Sequence, residues 1–342
     1  MGKHLGRQSV RFENPVYIIS AASTVGKREG EGPLGKYFDV VLPDALCGET
    51  SWEKAESKIV KDTFNRVLAK SNLSQGNIDY VISGDLLNQN SGSTFAARDF
   101  DIPFFGIFGA CSTIGEGMSL GALLIDGGFA NNILVGASSH FCASEKQFRF
   151  PLELGTQRTP TSTWTVTGQG SLVLSRETNK ETKEKYPVIT AITTGKIKDL
   201  GITDVNNMGA AMAPAAFDTI NAHFNDLNIK PDYYDLIITG DLGYVGHELV
   251  IKMFSEQKID LSKNYSDCGI MIFDKEKQGT NSGGSGCACS AVTFAGYLYK
   301  KLKDRDLNKI LFVPTGALMN STTAQQGETI PSIAYAVAIE NL

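Results

Sequence analysis

The chain has 342 residues, enough for two domains or two fused halves around a large core. A net charge of −5 at ordinary globular composition gives no electrostatic footing for nucleic acid. No apolar run reaches membrane-spanning length, since the most apolar region, 104–138, is cut by Glu116, Asp126 and glycines, and the N-terminal MGKHLGRQSVRF shows no export core.

Residues 1–50 read as irregular, with a glycine-rich loop from Gly26 to Gly35. Residues 51–71 predict a helix, capped by Ser51, with Glu53 and Glu56 at its positive end and Ile59, Val60, Phe64, Val67 and Leu68 as its buried stripe. Ile78–Ser83 and Phe104–Phe108 read as strands, 112–125 as a helix, and Ile133–Val135 as a strand ending in small residues. The insert 139–165 reads as a polar, aromatic surface loop carrying side chains to a site. Strands follow at 165–175 and 187–195, around a charged, solvated turn at 176–185. A small-residue crossing at 207–216 leads to helix 215–227, strand 235–239, helices 246–256 and 289–303, strand 309–314 and a closing strand near 332–339.

This order is written twice. IDYVISGDLL at 78–87 is echoed by YDLIITGDLG at 234–243, GACSTIGEG at 109–117 by CACSAVTFAG at 287–296, and ILVGAS at 133–138 by ILFVPTGA at 310–317. The pattern predicts an α/β fold of two βαβ-rich halves, 1–205 and 206–342, with function where the strand ends of both halves meet.

Six cysteines, at 47, 111, 142, 268, 287 and 289, form no CxxC pair, and with four histidines they read as free thiols in a reducing compartment rather than a zinc site. Cys111 follows a strand and a small-residue turn and opens a helix, where the helix dipole favours thiolate and start amides attract anions; a small cysteine packed under the turn is the plainer alternative. NSGGSGCACS at 281–290 could bring backbone amides of Gly286, Cys287 and Cys289 to the same cleft, or could be a surface turn. Ser138, Ser139 and His140 stand at a strand's carboxyl end, as anion-holding groups or as a capping pair with a surface imidazole. Lys146, Arg149 and Arg158 are candidate partners for carboxylates. A base for Cys111 would have to be His140 or His247, since His4 lies in a tail and His223 within a helix.

These motifs resemble the thiolase and ketoacyl-synthase superfamily over nearly the whole chain, with Cys111 in the nucleophile's place. The resemblance implies the thiolase-like duplicated fold with five α-β-α-β-α layers. The chain reads Thr239-Gly-Asp241 where thiolases carry an Asn-Glu-Ala-Phe segment and other condensing enzymes a His, so the condensing histidines are not found at their expected positions. FGACST, GDLLNQN at 84–90, DGGFA at 126–130, EKQFR at 145–149, DLGITD at 199–204, MAPAAFDTI at 212–220 and GGSGCACSAV at 283–292 resemble, more narrowly, the stage V sporulation protein AD family, thiolase-like members of the SpoVA group of endospore formers. That resemblance implies a peripheral protein of the spore inner membrane. It would bind pyridine-2,6-dicarboxylate (dipicolinic acid), with or without calcium, for uptake into the developing spore alongside SpoVA membrane subunits. It implies no catalysis, no cofactor and no resident metal, with Cys111 as a pocket-lining contact and Gly286, Cys287 and Cys289 on the opposite wall; Ser138, Ser139 and His140 join Cys111 by their place on the adjacent strand end. A homodimer is expected by analogy. The alternatives are an active condensing enzyme using Cys111, and a scaffold with a vestigial cleft.

Overall fold

The computed structural model describes residues 3–148, 158–178 and 184–342. Ten strands form the main path through one 13-stranded sheet: β1 (Ser9–Val25), β2 (Tyr80–Gly84), β3 (Phe104–Gly106), β4 (Asn132–Ser139), β5 (Gly168–Ser175), β6 (Val188–Thr194), β7 (Leu236–Thr239), β8 (Tyr265–Asp267), β9 (Lys309–Val313) and β10 (Ser332–Glu340). Their spatial order is β8-β7-β9-β10-β6-β1-β5-β4-β2-β3. Each end is a parallel trio, β4-β2-β3 and β9-β7-β8, and the strands between pair antiparallel. The order of the first five strands in chain and sheet is repeated by the second five. On this order the second half begins with β6, at Val188, ahead of the boundary expected at 205/206.

Helices fill the layers because buried strands alternate their side chains. On one outer face Val60, Phe64 and Val67 of α1 (Trp52–Ser71) and Ala96 of α2 (Ser91–Ala97) meet Val81, Leu134 and Val173. The next residues, Ile82, Val135 and Leu172, point to the middle layer. There they meet Ile114, Met118 and Ile125 of α3 (Thr113–Asp126), with the same core taking in Ile238, Ile310 and Phe312 from the other half. On the far face Met212, Ala216 and Ile220 of α5 (Met208–Leu227) and Val250 and Phe254 of α6 (Gly243–Glu256) cover Ile237, Leu311 and Val313. Three helical layers around two sheet layers are the five-layer arrangement. The remaining elements used below are α4 (Phe141–Phe148) and α7 (Cys287–Val292), the latter seated on β5 so closely that only a glycine fits at Gly170.

Several expectations need correction. The irregular reading of 1–50 missed β1, a 17-residue strand whose register shifts between Arg11 and Val16 around Pro15, which has no N–H for the ladder. The crossing at 207–216 is the start of α5, which runs through Pro214. The helix at 289–303 is interrupted by a π-helical turn over Thr293–Leu298. The insert does not begin as a surface loop: Ser139 and His140 are buried, α4 follows, and Trp164–Thr165 pairs with Gly284–Ser285 as a separate small sheet. Residues 149–157 of that insert, including Arg149, and 179–183 of the charged turn lie outside the described residues.

Candidate functional site

The turn before α3 is built by hydroxyls. Ser112 Oγ donates to Gly109 O at 2.6 Å, Thr113 Oγ1 donates to Ala110 O at 2.6 Å, and Gly109 N–H donates to Thr113 Oγ1 at 3.2 Å. Ala110 takes φ 49°, a left-handed conformation that costs a non-glycine residue energy and lifts Cys111 out of the helix line. Gly316 approaches Gly109 O so closely that any Cβ there would collide with it, which brings the β9–β10 connection against the turn. Cys111 is half-buried and faces a narrow cavity of about 90 Å³.

Behind the thiol stands Asp241, just past β7. Its Oδ2 accepts from Gly286 N–H at 3.1 Å, its Oδ1 accepts from Thr315 Oγ1 at 2.9 Å, and the Cys111 thiol is hydrogen-bonded to the same carboxyl. Burial pushes this carboxyl up to about 7, with Asp267 adding to the rise. Burial also pushes the Cys111 thiol well above its ordinary range, helped by the charge of Asp241 and only partly opposed by Gly286 N–H. The helix-start dipole is therefore outweighed, and the thiol stays protonated at neutral pH. Asp267 accepts from Thr239 Oγ1 at 2.7 Å and from the N–H groups of Leu242, Gly243 and Gly269 at 2.9–3.0 Å, and is itself raised by burial to about 6.

The cavity walls are mostly apolar. Leu86, Phe108, Phe148, Met208, Met212 and Met319 supply them, with Thr163, Thr165, Ser144, Ser285 and Glu145 as polar groups. Of the seven residues expected at the site, the structure brings Cys111 and Gly286 to this cavity. The others are adjacent but turned away. Ser138 Oγ donates to Glu56 Oε1 at 2.8 Å on the α1 side of the sheet. Ser139 Oγ donates to Val166 O at 2.7 Å and accepts from Ala288 N–H at 3.1 Å. His140 is buried, not a surface imidazole: Nε2–H donates to Ala45 O at 2.7 Å and Nδ1 accepts from Ala143 N–H at 3.4 Å, and burial lowers its pKa. The Cys287 thiol donates to Ala110 O at 2.9 Å, bracing the Cys111 turn from below, and the Cys289 thiol donates to Gly240 O at 3.5 Å.

None of the four histidines lines the cavity. His223 is buried between Thr193 Oγ1 and Tyr234 OH, both at 2.7 Å, and burial lowers it to about 3. His247 stacks on Tyr265 with ring centroids 4.6 Å apart. Lys146 is paired with Glu53 at 2.8 Å, and Arg158 with Glu145 at 2.9 Å. Sequence reasoning noted Asp241 as a departure from other families but missed it as a site residue. Its only signal was the repeated Gly-Asp at two strand ends. Among the described residues no cluster of His, Cys, Asp and Glu could hold a metal, and no helix is long and apolar enough to cross a membrane.

The fold is shared with condensing enzymes. The chain superposes on 3-oxoacyl-[acyl-carrier-protein] synthase III from Aquifex aeolicus VF5 with a TM-score of 0.55 at 13% identity, covering 95% of this chain and 99% of that one. Cerulenin-bound OleA from Xanthomonas campestris gives 0.57 at 16% identity, covering 96% and 97%. A family model described as Stage V sporulation protein AD (SpoVAD) matches residues 6–340. The protein of that name from Bacillus subtilis (strain 168) is 45% identical over 338 residues, 99% of this chain and 98% of its own length.

Proposed function

The chain belongs to the stage V sporulation protein AD family, and from that membership we propose that this sporulation protein binds pyridine-2,6-dicarboxylate in the Cys111 cavity without turning it over. The observation that carries the non-catalytic reading is the hydrogen bond between Cys111 and the buried Asp241, with none of the four histidines among the described residues that line the cavity. A thiol nucleophile needs a base that lowers its pKa, and this neighbour raises it. The narrow, Met- and Phe-walled slot suits a flat ring, and the Thr163, Thr165 and Ser285 edge offers polar contacts.

In the same proposal the protein acts at the spore inner membrane as a peripheral component, taking dipicolinate to the SpoVA membrane subunits. It also works as a homodimer. Among the described residues β3 ends the sheet with an unpaired edge, and Phe95, Phe105 and Phe108 beside it are 53%, 48% and 46% exposed, an apolar set that a second copy would cover.

Isothermal titration with dipicolinate, beside Cys111→Ala and an isomeric pyridine dicarboxylate, tests the reading. Saturable binding that discriminates the isomer and weakens in the variant is expected. The competing reading, acyl transfer through Cys111, draws on the Asp241 carboxyl as proton acceptor. Incubation with an acyl-CoA and intact-mass detection of an acylated Cys111 would establish it and end the non-catalytic one.

A further inference from the structure

Among the described residues the cavity wall carries one carboxylate, Glu145, and a guanidinium that pairs with it stands directly behind. Among the described residues that line the cavity, Glu145 is the only ionisable side chain besides Cys111. Its side chain is 3% exposed, and its Oε1 lies 2.9 Å from Nη2 of Arg158, whose side chain is 9% exposed.

Arg158 is held in place without help from Glu145. Its Nη1 donates to the carbonyl of Thr163, another cavity residue, at 2.7 Å. Its guanidinium lies 4.6 Å from the Trp164 ring and 5.2 Å from the Phe141 ring, two rings stacked 4.0 Å apart. A second guanidinium, Arg28, covers Trp164 at 3.8 Å and donates to Gln278 O. The wall behind Glu145 is thus a rigid aromatic pair carrying two cations.

From this geometry we infer that Glu145 is a resident carboxylate that occupies the fork of Arg158 until a ligand carboxylate replaces it, so that Arg158 selects for acidic ligands. The inference rests on the dipicolinate-binding reading. An anion entering beside a fixed carboxylate is repelled, and a buried guanidinium cannot be left without a counter-charge. Exchange of one carboxylate for another satisfies both constraints, since Arg158 Nη2 can donate to either while Nη1 stays on Thr163 O. A neutral aromatic ligand lacks the group needed to displace Glu145, which makes the pair a filter against uncharged rings of the same shape. The neighbouring Arg28 raises the cost of an unpaired Arg158 and so drives recapture of Glu145 when the ligand leaves.

The test is isothermal titration of pyridine-2,6-dicarboxylate into the wild type, Glu145→Gln, Arg158→Lys and Arg158→Gln, with thermal melts of each free protein. Glu145→Gln removes the resident competitor and is expected to bind about 10-fold tighter, while melting lower without ligand and recovering with it. Arg158→Gln is expected to bind about 100-fold weaker, and Arg158→Lys, which keeps the charge but loses the fork, to fall between. If Arg158→Gln does not fold, Glu145→Gln decides alone. Unchanged or weaker binding by Glu145→Gln, or wild-type affinity in a folded Arg158→Gln, overturns the inference and leaves the dipicolinate reading standing. No binding by the folded wild type removes both.

Discussion

Gly84-Asp85 and Gly240-Asp241 end strands that hold the same place in the repeated sheet, yet the two aspartates do different things. Asp85 closes on itself. It accepts from Leu87 N–H at 2.9 Å and Ser93 N–H at 2.7 Å and lies against the buried Glu56, whose other partner is Ser138. Burial raises both carboxyls, and the charge of Asp85 raises Glu56 further. Asp241 instead reaches across the molecule to Cys111, Gly286 and Thr315 at the cavity. The repeat supplies the carboxylate in both places. What meets it, a helix in one half and a cysteine turn in the other, decides whether it becomes part of the frame or of the site.

The sharpest way to break this comparison is to remove Asp85. Asp85→Ala strands two buried N–H donors and is expected to cost about 3 kcal/mol in urea unfolding, with no change in the reactivity of Cys111. Asp241→Asn should do the reverse. Without the adjacent negative charge the thiol pKa falls, and alkylation of Cys111 by iodoacetamide at pH 8, followed by peptide mass mapping, should run about 10-fold faster. An unchanged rate would show that Asp241 does not govern the thiol.

The pH dependence of melting isolates the contribution of Asp241. Asp241 is raised from 3.8 to about 7 in the fold, so the folded state binds the extra proton between those values. Its contribution is full below about pH 4 and is lost as pH rises through 7. Glu29, raised to about 7, and Asp267, raised to about 6, add losses of the same sign. Asp241→Asn should therefore flatten part of the decline in melting temperature from pH 4 to 7 and leave the rest. The smallest effect is expected from Glu56→Gln. It replaces one carboxyl of the coupled pair by a neutral side chain that still accepts from Ser138, so stability at pH 8 should rise by about 1 kcal/mol or less, read by the same unfolding curves.

The repeat was legible because buried strands and amphipathic helices carry period and composition, and Ser51, read as a cap, accepts from Lys54 N–H at 3.3 Å. β1 was not legible, because Asn14-Pro15, which sits at a register shift, and the small-residue run Ala21-Ala22-Ser23-Thr24 hide a strand. Cys111 and Gly286 could be found as local turns. Asp241 could not be given its role, since Gly286 and Thr315 are brought to it from 45 and 74 positions away. The differing directions of Ser138, Ser139 and His140 could be read from the strand itself. Ser138 and Ser139 are neighbours on β4 and so point to opposite faces of the sheet, and His140 lies just past the strand end. Glu56, expected to serve the helix dipole, is buried instead, because α1 turns it inward onto the sheet.

β1 also has a consequence for synthesis. It is made first and joins the two halves, with Val25 paired to Gly168 and Ser9 to Thr193. At about 5–20 residues per second, the ribosome leaves that strand waiting on the order of ten seconds for its neighbours. During that interval this long strand has, among the described residues, only two short native pairings, His4–Leu5 against Ser9–Val10 and Val40–Val41 against Thr24–Val25. Productive folding of the nascent chain must therefore keep β1 from pairing with other chains until the middle of the protein has emerged.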